Sequence, residues 1–202
     1  MHVYLIDDEE VLRDSLGWLL ESRDLPCRTF PSGEAFLEAY SSLPSNEPSC
    51  IILDIRMEPH MSGIELFNKI PDIRENWPVI FLSGHGDISL AVSAVKQGAF
   101  DFLEKPFADN QLVDRVFEAL AQSKARLNCK KQSDAIQEKI ALLSDREISV
   151  MESILNGLSN REASEKLEMS VRTVEVHRAS LFKKMEVKGA VELINLLQIL
   201  DV

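Results

Sequence analysis

Cysteine is scarce in this chain: three in 202 residues, at Cys27, Cys50 and Cys129. The count is odd, the positions lie far apart and no CxxC spacing occurs, which excludes a disulfide framework and a zinc site. No run of 18 or more apolar residues is present, which excludes a spanning helix and makes a membrane partner unexpected. The opening Met1–Ile6 meets Asp7-Asp8-Glu9-Glu10 at once, without the basic start and longer apolar stretch of a secretory signal. A cytoplasmic protein with reduced thiols is therefore expected. Internal repeats and low-complexity tracts are absent. Between Asp109 and Asn156 glycine and proline are missing altogether.

Hydrophobic residues make up 45 % of the chain, enough for a proper core, and the formal net charge is -11. That charge is uneven. Residues 1–120 carry 21 acidic and 9 basic side chains, whereas residues 121–202 carry 12 and 13. The acidic half need not approach a polyanion, and the near-neutral half is free to do so. Within it, Ser159–Gly189 holds 7 basic and 5 acidic residues, an excess too small to establish DNA binding by charge alone.

The first half alternates between two periodicities. HVYLID, PCRTF, SCIILD, PVIFLS and FDFL read as strands, and SCIILD is apolar almost throughout, as befits a strand covered on both faces. Helices are predicted over Glu9–Ser22, over SGEAFLEAY with Ser32 as N-cap, after Gly63, over Ile88–Gln97 and from about Asp109. Five strands alternating with five helices predict an α/β fold, a parallel sheet with helices on both faces. The junction Gln122–Leu142 is rich in helix formers and reads as a semi-rigid helix, with a polar disordered linker as the alternative.

Three carboxylates, Asp7 and Asp8 after strand one and Asp54 at the end of strand three, fall where open parallel sheets hold ligands. Gathered together they repel, unless a hard divalent cation such as Mg²⁺ or Mn²⁺ sits among them. A metal-held aspartate also serves as a nucleophile toward phosphorus. The alternative is that Asp7 and Asp8 cap the next helix while Glu9 and Glu10 complement its dipole. Ser83 and Lys105, at the ends of strands four and five, fall at the same edge and suit the oxygens of a phosphoryl group on Asp54.

YLIDDEE, CIILDIRM, FLSGHGD and GAFDFLEKPF resemble the receiver domain of two-component response regulators over about residues 1–120. The resemblance implies a flavodoxin-like (CheY-like), doubly wound five-stranded sheet of order 2-1-3-4-5. It implies that Asp54 accepts a phosphoryl group from a histidine kinase, with Ser83 and Lys105 on the phosphoryl oxygens. It further implies that Asp7, Asp8, Asp54 and the backbone carbonyl of Arg56 hold Mg²⁺. Ser83 and Phe102 would form the switch, and Lys105-Pro106 would be cis. The loop RMEPHMSG departs from the pattern: Pro59 and Gly63 stand five and nine residues after Asp54, where four and eight are usual. Either Glu58 or His60 tunes the pocket, or the extra residue is a harmless bulge.

In the second half, Ser144-x-x-Glu147 and Ser159-x-x-Glu162 are capping-box patterns that open two helices, and Gly157 suits the end of the first. Ser170 caps a third helix, with Val171, Val174, Leu181 and Met185 as its apolar face. Arg172, Thr173, Glu175, Val176, His177, Arg178, Lys183 and Lys184 remain for its outer face. Two helices joined by a tight turn fit a helix-turn-helix, and an amphipathic helix with a solvated charged face is the bland alternative. Residues 142–200 resemble the output domain of the LuxR/FixJ-type (NarL-like) regulators. That resemblance implies a small all-α four-helix domain whose last helix, Ala190–Leu200, often serves dimerisation. It places Glu175, Val176 and Ala179 at base-reading positions, and Arg172, Thr173, His177, Arg178 and Lys183 along the backbone.

The expectation is a receiver over 1–120, a helical linker over 121–142 and a DNA-binding domain over 143–202. Phosphorylation would promote homodimerisation, through a surface containing Val92, Val95 and Phe102, and binding to double-stranded promoter DNA. RNA polymerase is a further candidate partner. The chain is expected not to be an enzyme beyond catalysing its own phosphorylation and dephosphorylation. A Mg²⁺-dependent aspartyl-phosphate phosphatase would need a carboxylate two residues after its nucleophile, and Arg56 stands there. A phosphate-independent adaptor conflicts with the complete acidic pocket, and a sigma-like module with the small size and the receiver pattern.

Overall fold

The structure is a computed structural model that describes residues 1–59, 61–70, 77–84 and 88–201. His60 and residues 85–87, within two of the motifs above, lie outside the described residues. The chain forms two compact units, Met1–Asn128 and Cys129–Val202.

The first unit holds the described elements β1 (His2–Ile6), α1 (Glu10–Glu21), β2 (Cys27–Phe30), α2 (Gly33–Tyr40), β3 (Ser49–Asp54), α3 (Gly63–Lys69), β4 (Val79–Ser83), α4 (Ile88–Lys96) and β5 (Asp101–Glu104), and α5 (Asp109–Ala141) begins in it and ends in the second. The strands form one parallel sheet of order β2-β1-β3-β4-β5, as the resemblance implied. Strand five starts one residue later than predicted, at Asp101, and Phe100 just before it donates its N–H to Val79 O at 2.9 Å.

Alternate residues of each central strand enter different cores, which is why these strands read as continuous apolar runs. Tyr4, Ile6, Ile51, Leu53, Val79 and Phe81 pack with Phe36 of α2 and with Leu66 and Phe67 of α3. Val3, Leu5, Cys50, Ile52, Ile80 and Leu82 pack with Leu16 and Leu20 of α1 and with Leu112, Val116 and Leu120 of α5. Each such buried side chain contributes about 2 kcal/mol relative to exposure. The free thiol of Cys50 is fully buried, and burial pushes its pKa far up, so it behaves as a core side chain.

The junction is helical up to Ala141, where α5 ends, and Leu142 lies in the turn that follows. It also stays tied to the first unit beyond residue 120: the buried Ser123 hydroxyl accepts the Ser49 N–H at 3.1 Å.

The second unit contains α6 (Asp145–Leu155), α7 (Asn160–Lys166), α8 (Val171–Met185), α9 (Ala190–Leu197) and a 3₁₀ turn, Gln198–Asp201. Ser144 and Ser159 open α6 and α7 through complete capping boxes, and Ser170 caps α8 through Thr173 N. Gly157, at φ +73°, ends α6: its N–H reaches Ile154 O at 2.9 Å and the Leu158 N–H reaches Ser153 O at 3.0 Å. Val150, Met151, Ile154, Val174, Leu181, Met185 and Leu193 form the core. Val171 does not join them. It is 40 % exposed, because the first turn of α8 runs ahead of the buried stripe at Val174, Leu181 and Met185.

Glu147 does more than close the capping box that its spacing announces. Its buried carboxylate accepts Ser144 N at 2.8 Å and Ser144 Oγ at 2.9 Å, then Ser180 Oγ at 2.6 Å and Lys184 Nζ at 2.7 Å from α8. Lys184 also donates to Leu142 O at 3.0 Å, so it belongs to this clamp rather than to the outer face. The Lys184 ammonium first, then the Ser144 N–H and Ser180 hydroxyl, hold the Glu147 pKa down to about 2. A depressed carboxylate stabilises the fold fully above its unfolded value of about 4.3, and that stabilisation is lost as pH falls through the folded value. Amide protection factors of α6–α8 in the full chain, exchange rates corrected for their intrinsic pH dependence, should therefore fall as pH falls from about 4 toward about 2. Glu147→Ala should cost on the order of 2 kcal/mol at neutral pH and flatten that response. An unchanged exchange profile in the variant would contradict the clamp.

Candidate functional site

Parallel pairing brings the chemistry-bearing residues to one edge of the sheet. Ile6 pairs with Leu53, so Asp7 emerges beside Asp54. Asp54 pairs with Leu82 and Ser83 with Glu104, so Ser83 and Lys105 emerge next in order. Asp7, Asp54 and Ser83 are buried, although all three are polar. Burial of this kind requires partners.

Lys105 supplies them. Its Nζ donates to Asp54 Oδ1 at 2.6 Å and to Asp7 Oδ2 at 3.0 Å, spanning two carboxylates that would otherwise repel. The Lys105-Pro106 bond is cis, as the resemblance implied. The remaining oxygens are also engaged: Asp7 Oδ1 accepts Glu9 N at 2.9 Å, and Asp54 Oδ2 accepts Arg56 N at 2.7 Å. Burial pushes the Asp54 pKa up to about 6, against the pull of Lys105, and Asp7 adds to the rise. Burial disfavours the Lys105 charge, but its bonds to Asp54 and Asp7 prevail and its pKa is raised.

The capping alternative for Asp7 and Asp8 is not what the structure adopts. The N-cap of α1 is Glu9, with no side-chain cap bond, and Asp7 serves the turn by accepting the Glu9 N–H. The set of three carboxylates is not assembled either. Among the described residues no three His, Cys, Asp or Glu side chains gather closely enough to hold a metal ion. An ammonium, rather than a third carboxylate, joins Asp7 to Asp54. The residues that the resemblance names for a cation, Asp7, the half-buried Asp8, Asp54 and the Arg56 carbonyl, would nevertheless offer oxygen alone, a chemistry that fits a hard cation such as Mg²⁺ and not a soft one.

Ser83 Oγ donates to Leu103 O at 3.4 Å. Phe102 is half-buried against the core. The lengthened loop after Asp54 is closed by Gly63, whose N–H reaches Ile55 O at 3.0 Å. A Cβ on Gly63 would fall 2.1 Å from the Asp54 carbonyl oxygen, so only glycine permits this approach. The loop is held further by Met61 N donating to Glu34 Oε1 at 3.0 Å and by a capping box between Ser62 and Glu65. That capping box was legible as Ser-x-x-Glu but not singled out; the Glu34 contact joins residues 27 apart and has no sequence signal.

In the second unit, α7 and α8 are joined by a turn with Glu168 at φ +52°. Arg172, Thr173, Glu175, Val176, Ala179 and Lys183 are exposed on α8. At 3.6 residues per turn, Arg172, Val176, Ala179 and Lys183 fall opposite the stripe of Val174, Leu181 and Met185, whereas Glu175 and Thr173 fall on its two sides. Thr173 is drawn into the cap, 2.7 Å from Ser170 Oγ. His177 and Arg178 are half-buried at the stripe's flanks, with the Arg178 guanidinium 5.5 Å from the Phe182 ring centroid. Val176 is 61 % exposed, an apolar side chain left on a polar face. Among the described residues no helix is long and apolar enough to cross a membrane.

Comparison with known proteins agrees with both units. Residues 3–117 match the response regulator receiver domain, and residues 141–197 match the bacterial regulatory proteins of the luxR family. The chain is 43 % identical, over 95 % of its length and 96 % of theirs, to the C4-dicarboxylate transport transcriptional regulatory protein DctR of Rhodobacter capsulatus. It is 39 % identical to the transcriptional regulatory protein FixJ of Bradyrhizobium diazoefficiens, covering 96 % of this chain and 93 % of that one. Among solved structures, the response regulator StyR superposes with a TM-score of 0.84 at 32 % identity, covering 98 % of each chain. The chain therefore belongs to the LuxR/FixJ family of two-component response regulators, a receiver joined to a LuxR-type DNA-binding domain that regulates transcription.

Proposed function

We propose that residues 1–120 act as the phosphoacceptor, residues 121–142 as the connecting helix and residues 143–202 as the reader of promoter DNA. The observation that carries this is the bridge of Lys105 to Asp54 and Asp7 at the sheet edge. Asp54 Oδ attacks the phosphorus of a kinase phosphohistidine. The new P–O bond forms as the P–N bond breaks, and the departing imidazole takes up a proton. Lys105 moves with its charge from the carboxylate to a phosphoryl oxygen, and the Ser83 hydroxyl turns from Leu103 O to donate to another. A Mg²⁺ held by Asp7, Asp8, Asp54 and the Arg56 carbonyl would neutralise further phosphoryl charge.

Movement of Ser83 vacates volume that Phe102 fills, and the change reaches α4 and β5. Val92 and Val95 are 41 % and 39 % exposed there, and the surface they make with Phe102 serves a homodimer. Two copies of α8 then meet two half-sites. Arg172, Thr173, His177, Arg178 and Lys183 hold phosphates, while Glu175, Val176 and Ala179 face base edges. A soluble cytoplasmic location and contact with RNA polymerase complete the reading.

A small phosphodonor with Mg²⁺ should dimerise the wild type and tighten promoter binding about tenfold, with Asp54→Ala unresponsive. Equal DNA binding in every condition would remove Asp54 as the switch of operator affinity. The nucleophile must be ionised, so at limiting Mg²⁺ the phosphorylation rate should rise with pH around a midpoint of about 6. A flat profile between about pH 5 and 7 would oppose that assignment. Glu175 cannot bind phosphate but accepts from cytosine N4, so Glu175→Ala should lose about tenfold in discrimination between sites while keeping its affinity for random DNA. Equal losses on both would count against base reading.

A further inference from the structure

Asp7 is held at every polar atom. Its N–H donates to Phe30 O at 3.3 Å, Oδ1 accepts Glu9 N at 2.9 Å and Oδ2 accepts Lys105 Nζ at 3.0 Å. The fourth contact comes from a residue that no sequence pattern singles out: Arg13 Nη1 donates to the Asp7 carbonyl oxygen at 2.7 Å. Arg13 lies one turn into α1, where its own N–H closes the first helical bond to Glu9 O at 3.0 Å. Its guanidinium thus reaches back along the helix to the β1–α1 turn. That turn lacks the usual side-chain cap, since Glu9 makes none.

The carbonyl that Arg13 holds belongs to the peptide group linking Asp7 to Asp8. A peptide group is planar, so fixing its oxygen fixes the plane from which both residues project. The bond is short and carries the full guanidinium charge, the stronger kind of hydrogen bond. We infer that Arg13 is a positioning residue for the cation site, orienting the carboxylates of Asp7 and Asp8 together through the peptide between them. The inference rests on the reading of this edge as a Mg²⁺-dependent phosphoacceptor pocket. It adds a cation that never touches the metal or the phosphoryl group and acts through the backbone. Electrostatics alone predicts the reverse effect, because a guanidinium near the pocket repels Mg²⁺.

The opposed signs make the test decisive. The Mg²⁺ dissociation constant of the full chain is measured by titration calorimetry, with the unfolding midpoint in parallel. Arg13→Met keeps the aliphatic stem and removes the guanidinium. It should weaken Mg²⁺ binding on the order of tenfold and slow phosphorylation at limiting Mg²⁺. Arg13→Lys, which keeps both charge and donor, should recover most of the loss. Arg13→Gln, retaining a neutral donor, should weaken binding to a smaller degree and carries the test should the methionine variant not fold. Mg²⁺ binding as tight as or tighter than wild type in these variants, even with a lowered unfolding midpoint, would show a merely structural role and overturn the inference. Wild type that binds no Mg²⁺ would instead overturn the pocket reading, and this inference with it.

Discussion

A single ammonium group between two buried carboxylates makes the acidic edge of the sheet possible. Lys105 meets Asp54 and Asp7 at once, and without it the two acids would face each other across adjacent strands inside the fold. The compensation is incomplete. Burial still raises Asp54 to about 6, so the site carries a carboxylate held uneasily in its charged form. Strain of this kind is characteristic of groups kept for chemistry rather than for stability. Much of the surrounding structure serves that arrangement: Glu9 and Arg56 donate backbone N–H groups to it, and Gly63 lets the following helix start against the Asp54 carbonyl.

The second unit uses the same pair of residue types to the opposite end. Glu147 is as buried as Asp54, and a lysine again lies 2.7 Å away. Here two serines and a backbone N–H complete the shell, and the pKa falls to about 2. Satisfied on all sides, this carboxylate joins α6 to α8, the helix whose exposed face is proposed to meet DNA. Burial outweighs the donors around Asp54, whereas the donors outweigh burial around Glu147, and that balance separates a strained carboxylate from a structural clamp.

Much of this was legible beforehand. The two helical coats and the sheet edge followed from alternating periodicities, because such alternation implies a parallel sheet buried on both faces, while the strand order came from the receiver resemblance. The capping boxes at Ser144 and Ser159 were readable because they are local, three residues from serine to glutamate. The face of α8 was readable in outline, except at its two ends. Val171 looked like core and is exposed, and Lys184 looked like surface and is spent on Glu147 and Leu142. Helical periodicity gives the direction of a side chain but not what stands opposite it.

The sequence by itself determined which residues reach which sheet edge and which helix carries the polar face, since both depend on local periodicity and short-range caps. Only the tertiary structure decided how those residues are satisfied. That Lys105 spans Asp7 and Asp54, that Arg13 holds the peptide after Asp7, that Glu34 anchors the loop after Asp54, and that Glu147 reaches Lys184 are pairings across turns or elements. Charged side chains are long, and their partners are fixed by which backbones approach in space, a distance that spacing along the chain does not encode.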